Sequence, residues 1–193
     1  MTTLTFSKTI FAGVFTVMLM FTGCSGTEPE KKTDSISVEE GPRLHTTESL
    51  QKEISELEGS LENPNLPNRI AVSKQLIEYY EDYTNMFSND KLAPEMLFKA
   101  GNQAVNIEEY DLALKEYNLV EEYYRNYLKR PEVLFLQAFV YETYKNEYGK
   151  AKERYEKLIK QYPDHELAVQ AKESLKYMGI SDEERIRQFE KKN

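Results

Sequence analysis

From Thr46 onward, apolar side chains recur every three or four positions almost to the end of the chain, the spacing of one face of an α-helix. Leu50, Ile54, Leu57 and Leu61 form the first stripe, with Thr46 or Thr47 placed to cap a helix running to about Gly59. Asn63-Pro64-Asn65-Leu66-Pro67 breaks it. Ile70, Leu76, Ile77, Tyr80 and Tyr83 mark a second helix that should stop before Ser88-Asn89-Asp90. A third starts near Pro94, a residue suited to a first helical turn, and shows Leu97, Phe98, Ala100, Ala104 and Val105 on one side. A fourth, after Asn106-Ile107, carries Tyr110, Ala113, Leu114, Tyr117, Val120 and Tyr124. Pro131 resets the pattern, and helices over about 131–146, 148–162 and 165–178 follow. A last one is capped by Ser181, with Glu184 three residues on completing a capping box. No alternating β-branched run bounded by turns occurs, so the pattern predicts an all-α domain over 45–193 without a sheet.

The first 44 residues follow other rules. Lys8 is the only charge before Glu28, and it precedes a twelve-residue apolar run from Ile10 to Phe21 with one polar member. As a helix this run spans ~18 Å, well short of a ~30 Å hydrocarbon core, and no charged stop-transfer flank follows. A cationic start, a short apolar stretch and small residues predict a cleavable signal peptide over 1–23. The small residues are Thr22-Gly23-Cys24, which resemble the lipobox of bacterial lipoproteins. The resemblance implies that Cys24 receives a diacylglycerol thioether and becomes the new acylated N-terminus. Phe21 stands where that pattern prefers Leu. Two or three acyl chains on one residue anchor a protein durably, so the expected first partner is the membrane itself. Ser25 follows the cysteine where, in enteric bacteria, Asp would resemble an inner-membrane retention signal, which leans toward the outer membrane facing the periplasm. Residues 25–44 are polar, with two Pro, two Gly and no apolar period, and predict a flexible tether with a mean reach of ~25 Å.

Composition narrows the function classes. A net charge of -8 among 193 residues argues against a nucleic-acid partner, which needs a clustered basic face. Aromatic residues make up 12% of the chain, enough to fill a core. One cysteine excludes an intrachain disulfide and a Cys-rich metal site. His45 and His165 are the only histidines, too few for a zinc centre, and His165 reads as a surface residue at a helix start. Acidic runs such as Glu108-Glu109, Glu121-Glu122 and Asp182-Glu183-Glu184 read as solvated faces, and no Gly-rich phosphate loop is present. The expectation is therefore a non-enzyme without cofactor or metal.

The chain also repeats. Pro94-Glu-Met-Leu-Phe98 aligns with Pro131-Glu-Val-Leu-Phe135 at an offset of 37 residues. Tyr110-Asp-Leu-Ala113 aligns with Tyr148-Gly-Lys-Ala151, and Tyr117 with Tyr155, at 38, so one residue is inserted between the paired helices. A helix-turn-helix of this period resembles the tetratricopeptide repeat (TPR). Gly101 meets that family's small residue in the first helix, Ala113 and Ala151 its alanine in the second, Tyr117 and Tyr155 its following aromatic, and Pro163 its closing proline. Arg125 stands where the first repeat should have that proline, and 71–90 looks like the degenerate second half of an earlier repeat. The clearest repeats are about 94–127 and 131–164. Ala93-Pro94-Glu95-Met96-Leu97 and Tyr162-Pro163-Asp164-His165 look like the BamD-like family, the periplasmic lipoprotein subunit of outer-membrane β-barrel assembly, although about 170 mature residues are few for that family's five repeats.

What the TPR resemblance implies is a superhelix with a concave binding face lined by the first helix of each pair. Its register puts Glu95, Phe98, Asn102 and Asn106 there from one pair, and Glu132, Phe135, Phe139 and Glu142 from the next. Phe beside Asn suits burial of a partner's apolar group with a hydrogen bond to its backbone, while the three Phe at helical spacing fit a core equally well. The expected function is a membrane-anchored scaffold binding an envelope protein or peptide, with outer-membrane protein assembly as the specific role. The alternative is a small-ligand-binding or cell-wall-associated lipoprotein, or a regulatory subunit of a wall enzyme, which would need a closed apolar cavity. The oligomeric state stays open.

Overall fold

The computed structural model describes residues 45–180 together with Glu183, Glu184 and Arg187. The signal peptide, Cys24, the tether and Ser181 lie outside the described residues, as does the capping box proposed for Ser181. Seven helices follow in order, α1 (Thr47–Leu61), α2 (Arg69–Met86), α3 (Ala93–Asn106), α4 (Tyr110–Tyr123), α5 (Arg130–Thr143), α6 (Tyr148–Gln161) and α7 (Glu166–Tyr177). Glu183, Glu184 and Arg187 are helical as well, and no strand occurs among the described residues. None of the described helices is long and apolar enough to cross a membrane.

Local chemistry accounts for most boundaries. Thr46 caps α1 through its side chain, which accepts from the Ser49 N–H, while Ser49 returns a bond to the Thr46 backbone. Pro94 and Pro131 sit in the first turns of α3 and α5, where a missing N–H costs nothing. His165 caps α7, its Nδ1 accepting from the Leu167 N–H at 3.2 Å. Two ends differ from the periodicity. Helix α1 continues past Gly59 because Leu61 still reaches the core cluster. Helix α5 stops at Thr143 rather than near 146, because Asn146 turns left-handed (φ 54°) and the Glu147 N–H bonds back to the Tyr141 carbonyl.

The backbone itself repeats. Phe87, Tyr124 and Tyr162 end α2, α4 and α6 with (φ, ψ) of (-128°, 45°), (-118°, 63°) and (-135°, 58°). Each carbonyl then accepts from the N–H three residues on, at Asp90, Tyr127 and His165. The turns inside the pairs match too. Glu108 (φ 64°) precedes α4 as Asn146 precedes α6, and Glu109 and Glu147 cap with nearly equal dihedrals. The Glu109 N–H reaches back five residues to Ala104, and the Glu147 N–H six to Tyr141, so the extra residue lies in the α5–α6 turn.

Each helix packs on the next in sequence, and α5 also touches α7. Ion pairs join alternate helices: Glu58 of α1 with Lys99 of α3 (2.7 Å), Glu81 of α2 with Lys115 of α4 (2.7 Å), and Glu121 of α4 with Arg154 (2.7 Å) and Lys157 of α6. The more exposed of these, Glu58–Lys99 and Glu81–Lys115, contribute ~0–1 kcal/mol each, so they align alternate helices more than they stabilise them, while Glu121 is mostly buried between its two partners. Burial supplies the stability. Leu50, Ile54, Leu76, Ile77, Leu97 and Val133 belong to one apolar cluster, and Leu134, Tyr155, Leu158 and Ala171 to a second. A fully buried side chain of this size contributes roughly 1.5–3 kcal/mol. A close approach occurs at Gly101, which lies against the ring of fully buried Tyr117.

Candidate functional site

The eight residues expected to face a partner all lie on α3 and α5, and most are engaged within the chain. Glu95 accepts from the Tyr127 hydroxyl (2.6 Å) and from Lys129 Nζ (2.8 Å). Partial burial pushes its carboxyl up, but those two donors prevail and hold it below its ordinary value. Phe98 packs on the rings of Tyr117 and Tyr127 at 6.3 and 6.2 Å, with Lys129 Nζ 5.1 Å from its centroid. Asn102 Oδ1 accepts from the Tyr117 hydroxyl at 2.7 Å. In the next pair, Phe135 meets Tyr155 edge-on at 5.6 Å, and Glu142 accepts from the Tyr155 hydroxyl at 2.9 Å. Phe139 is 37% exposed and meets Tyr144 edge-on. Asn106 is exposed beside Gln103, and Glu132 is half-buried with Oε2 lacking a hydrogen bond.

These bonds have a common cause. Tyr83, Tyr117 and Tyr155 are fully buried on the even-numbered helices, and a buried hydroxyl needs a partner. The odd-numbered helix of each pair provides one, as Gln51, Asn102 and Glu142. Burial raises the Tyr117 and Tyr155 phenols above their ordinary value, so both stay protonated donors.

An opening lies mostly on other elements, and of the eight expected residues Glu95 alone lines it. A solvent-open cleft of about 1340 Å³ runs between the end of α2, the α2–α3 loop, the second half of α4 and the α4–α5 loop. Its two loops are tied where the Tyr124 hydroxyl donates to the Ser88 carbonyl at 3.0 Å. Asp90 holds the first loop by accepting from the Leu92 N–H at 2.7 Å. Large apolar side chains stand free along it, with Tyr123 65% exposed and Leu128 91% exposed.

One charged side chain in the cleft wall is out of place. Glu116 is fully buried, and neither carboxylate oxygen makes a hydrogen bond. Lys115 Nζ lies 3.0 Å from Oε1, inside ion-pair distance but without the angle for a bond, and its ammonium is directed to Glu81 at 2.7 Å. Burial drives the Glu116 carboxyl up to about 7, against the opposing pull of Lys115 and with a further push from Glu81. Two carboxylates thus share one ammonium.

The resemblance drew attention to α3 and α5 and away from α4. A signal for Glu116 was nonetheless present: Ala113, Glu116 and Val120 fall at i, i+3 and i+7, so a carboxylate interrupts an apolar stripe. Leu119 and Tyr123, at i+3 and i+7 from Glu116, continue along the cleft wall. The loop residue Leu128 left no comparable mark. Among the described residues no group of three His, Cys, Asp or Glu side chains could hold a metal ion. Compared with known proteins, the sequence matches no family model and no curated protein.

Proposed function

We propose that this protein is a lipid-anchored scaffold facing the periplasm, whose TPR-like helical array binds an envelope protein or peptide. The observation that carries the reading is the open cleft with Tyr123 and Leu128 exposed along it. Large apolar side chains held in solvent beside a groove are the composition of an interface core, and an open groove suits a chain better than a small molecule. The repeated corners at Phe87, Tyr124 and Tyr162 support a solenoid built from one supersecondary unit. Attachment through Cys24 rests on Lys8, the apolar run to Phe21 and Thr22-Gly23-Cys24. A role in outer-membrane protein assembly rests on the 93–97 and 162–165 segments alone.

The test is position-specific cross-linking in cells, with a photoreactive residue at Tyr123 or Leu128 in one set and at Asn106 or Phe139 in the other. A reproducible envelope protein captured from the first set supports binding in the cleft. Capture only from the second moves binding to the α3–α5 face. Capture from neither above a Cys24→Ala control refutes the scaffold. The same control should lose acyl labelling and leave the membrane fraction.

A further inference from the structure

We infer that the cleft takes an uncharged, extended segment of the partner, held by its peptide backbone on Asn89 and Asn126 and by one large apolar side chain among Leu119, Tyr123 and Leu128. This rests on the protein-binding reading above and names the chemistry of its ligand.

Charge selects the class of occupant. The lining carries as many Lys and Arg as Asp and Glu, and most of these groups are already engaged. Lys115 pairs with Glu81 and Glu116, and Lys129 with Glu95. Asp90 is used by its own loop, where it accepts from the Leu92 N–H. Of the charged lining residues, only Lys91 and Arg125 lack an ion pair or side-chain hydrogen bond among the described residues, and both are exposed on the loops. A pair formed with either in open water would add little. A charged side chain entering between the satisfied pairs sheds its water without gaining a counter-ion, and an uncharged chain avoids that penalty.

What the lining offers is hydrogen bonding without charge. Asn89 and Asn126 are exposed, and neither carboxamide is bonded within the described residues. A carboxamide carries a carbonyl acceptor and N–H donors, the complement of a peptide group. The two occupy the same place on successive corners, two residues after Phe87 and Tyr124, whose carbonyls accept from the N–H three residues on. Helices α2 and α4 lead into those corners and are joined by the Glu81–Lys115 pair, and axes of helices in contact lie ~8–10 Å apart. An extended chain at ~3.1–3.4 Å per residue covers that step in about three residues. A helical segment bonds its peptide groups internally and has few left for the two carboxamides.

An apolar place lies beside them. Leu119 is half-buried one turn before Tyr123 on α4, and Tyr123 and Leu128 are the exposed side chains noted above. Tyrosine supplies rigid contact area and asparagine adaptable hydrogen bonds, a combination that suits a protein ligand. Backbone bonds then give affinity with little regard to sequence, and the apolar contact gives selectivity.

The probes are Ac-Gln-Ser-Phe-Ser-Gln-NH2 and its Leu- and Tyr-centred forms, titrated into the isotope-labelled full chain and followed by amide chemical shifts. Comparison peptides carry Glu for both Gln, Lys for both Gln, or N-methyl groups on the two Ser nitrogens. The expected shifts are confined to about 84–92 and 119–129. The uncharged peptides should bind more tightly than both charged forms, and N-methylation should weaken binding at least ~5-fold. Asn89→Ala and Asn126→Ala should each weaken the parent peptide about 5-fold and leave the N-methyl peptide nearly unaffected, which separates a lost hydrogen bond from the bulk of the methyl group. Both asparagines are exposed, so neither replacement disturbs the core. Tighter binding of either charged form, N-methyl peptides as tight as their parents, or no cleft shift with any peptide overturns the inference. Shifts from an N-acetylglucosamine trimer but from none of the peptides also overturn it, and make the cleft a glycan site. The scaffold reading fails separately, when cross-links from neither set of positions capture an envelope protein.

Discussion

Replacing Gly101 by alanine should destabilise the domain, although the same change in most helices does the reverse. Alanine is favoured over glycine by ~1 kcal/mol inside a helix, so propensity alone predicts a gain. The added Cβ, however, would stand 2.4 Å from Cε1, 2.7 Å from Cδ1 and 2.9 Å from Cζ of the Tyr117 ring. No carbon pair tolerates these distances, and Tyr117 is fully buried, so the ring must move against its neighbours. Overpacking of this kind costs ~1–3 kcal/mol, and a displaced ring also strains the hydroxyl bond to Asn102, which contributes ~1 kcal/mol. After the propensity gain, the net loss is ~1–3 kcal/mol, or roughly 3–12 °C in Tm for a domain of this size. Urea unfolding followed by far-ultraviolet circular dichroism measures it. Gly59→Ala is the control, since a Cβ there meets nothing within 4 Å, and it should raise stability or leave it unchanged. In a Tyr117→Leu background the Gly101→Ala cost should shrink by at least ~1 kcal/mol, because contacting residues couple. A Gly101→Ala protein as stable as the parent, or a cost indifferent to residue 117, would refute the close-packing argument.

Stability should also fall as pH rises from about 4.5 to about 7, and part of that fall should belong to Glu116. Its carboxyl titrates near 7 when folded against 4.5 ordinarily, so the folded state holds the extra proton in this window and loses the advantage above it. The component is up to about 3 kcal/mol and should vanish in Glu116→Gln; a difference between the two proteins that is flat from pH 5 to 7.5 would sink it. Glu108→Asn should stabilise by ~0.5–1 kcal/mol, since the turn needs a left-handed residue there and the matching turn already uses Asn146. A lower melting temperature for that variant would count against the equivalence of the two turns. Thr46→Ala should cost ~1 kcal/mol by removing the α1 cap, read first as faster amide exchange in residues 47–50, and unchanged exchange would show that the cap is dispensable.

Much of this architecture could be read from the chain alone, because its causes are local. The 3.6-residue stripes need no partner to be recognised, Pro94 and Pro131 announce helix starts wherever they occur, and the 37- and 38-residue offsets put equivalent residues at equivalent corners. The insertion between the paired helices was visible as a change of offset. Where α5 ends was not, since Tyr144, Lys145 and Asn146 are helix-compatible in composition and only the left-handed turn at Asn146 ends the helix before them.

What tertiary packing decided is which groups meet. Period alone assigns Phe98, Asn102 and Glu142 to the same helix faces whether those faces are free or filled. The buried tyrosines of the even-numbered helices determine that Asn102 and Glu142 are filled, because a hydroxyl removed from water takes the nearest acceptor. Likewise, a glutamate between Lys115 and Tyr117 is an ordinary residue of a charged helix until α2 brings Glu81 to the same ammonium. Helix formation depends on neighbours three and four residues away, which the sequence writes side by side. A cleft, a shared cation and a ring against a glycine depend on residues brought together from separate helices, and only the folded chain sets those distances.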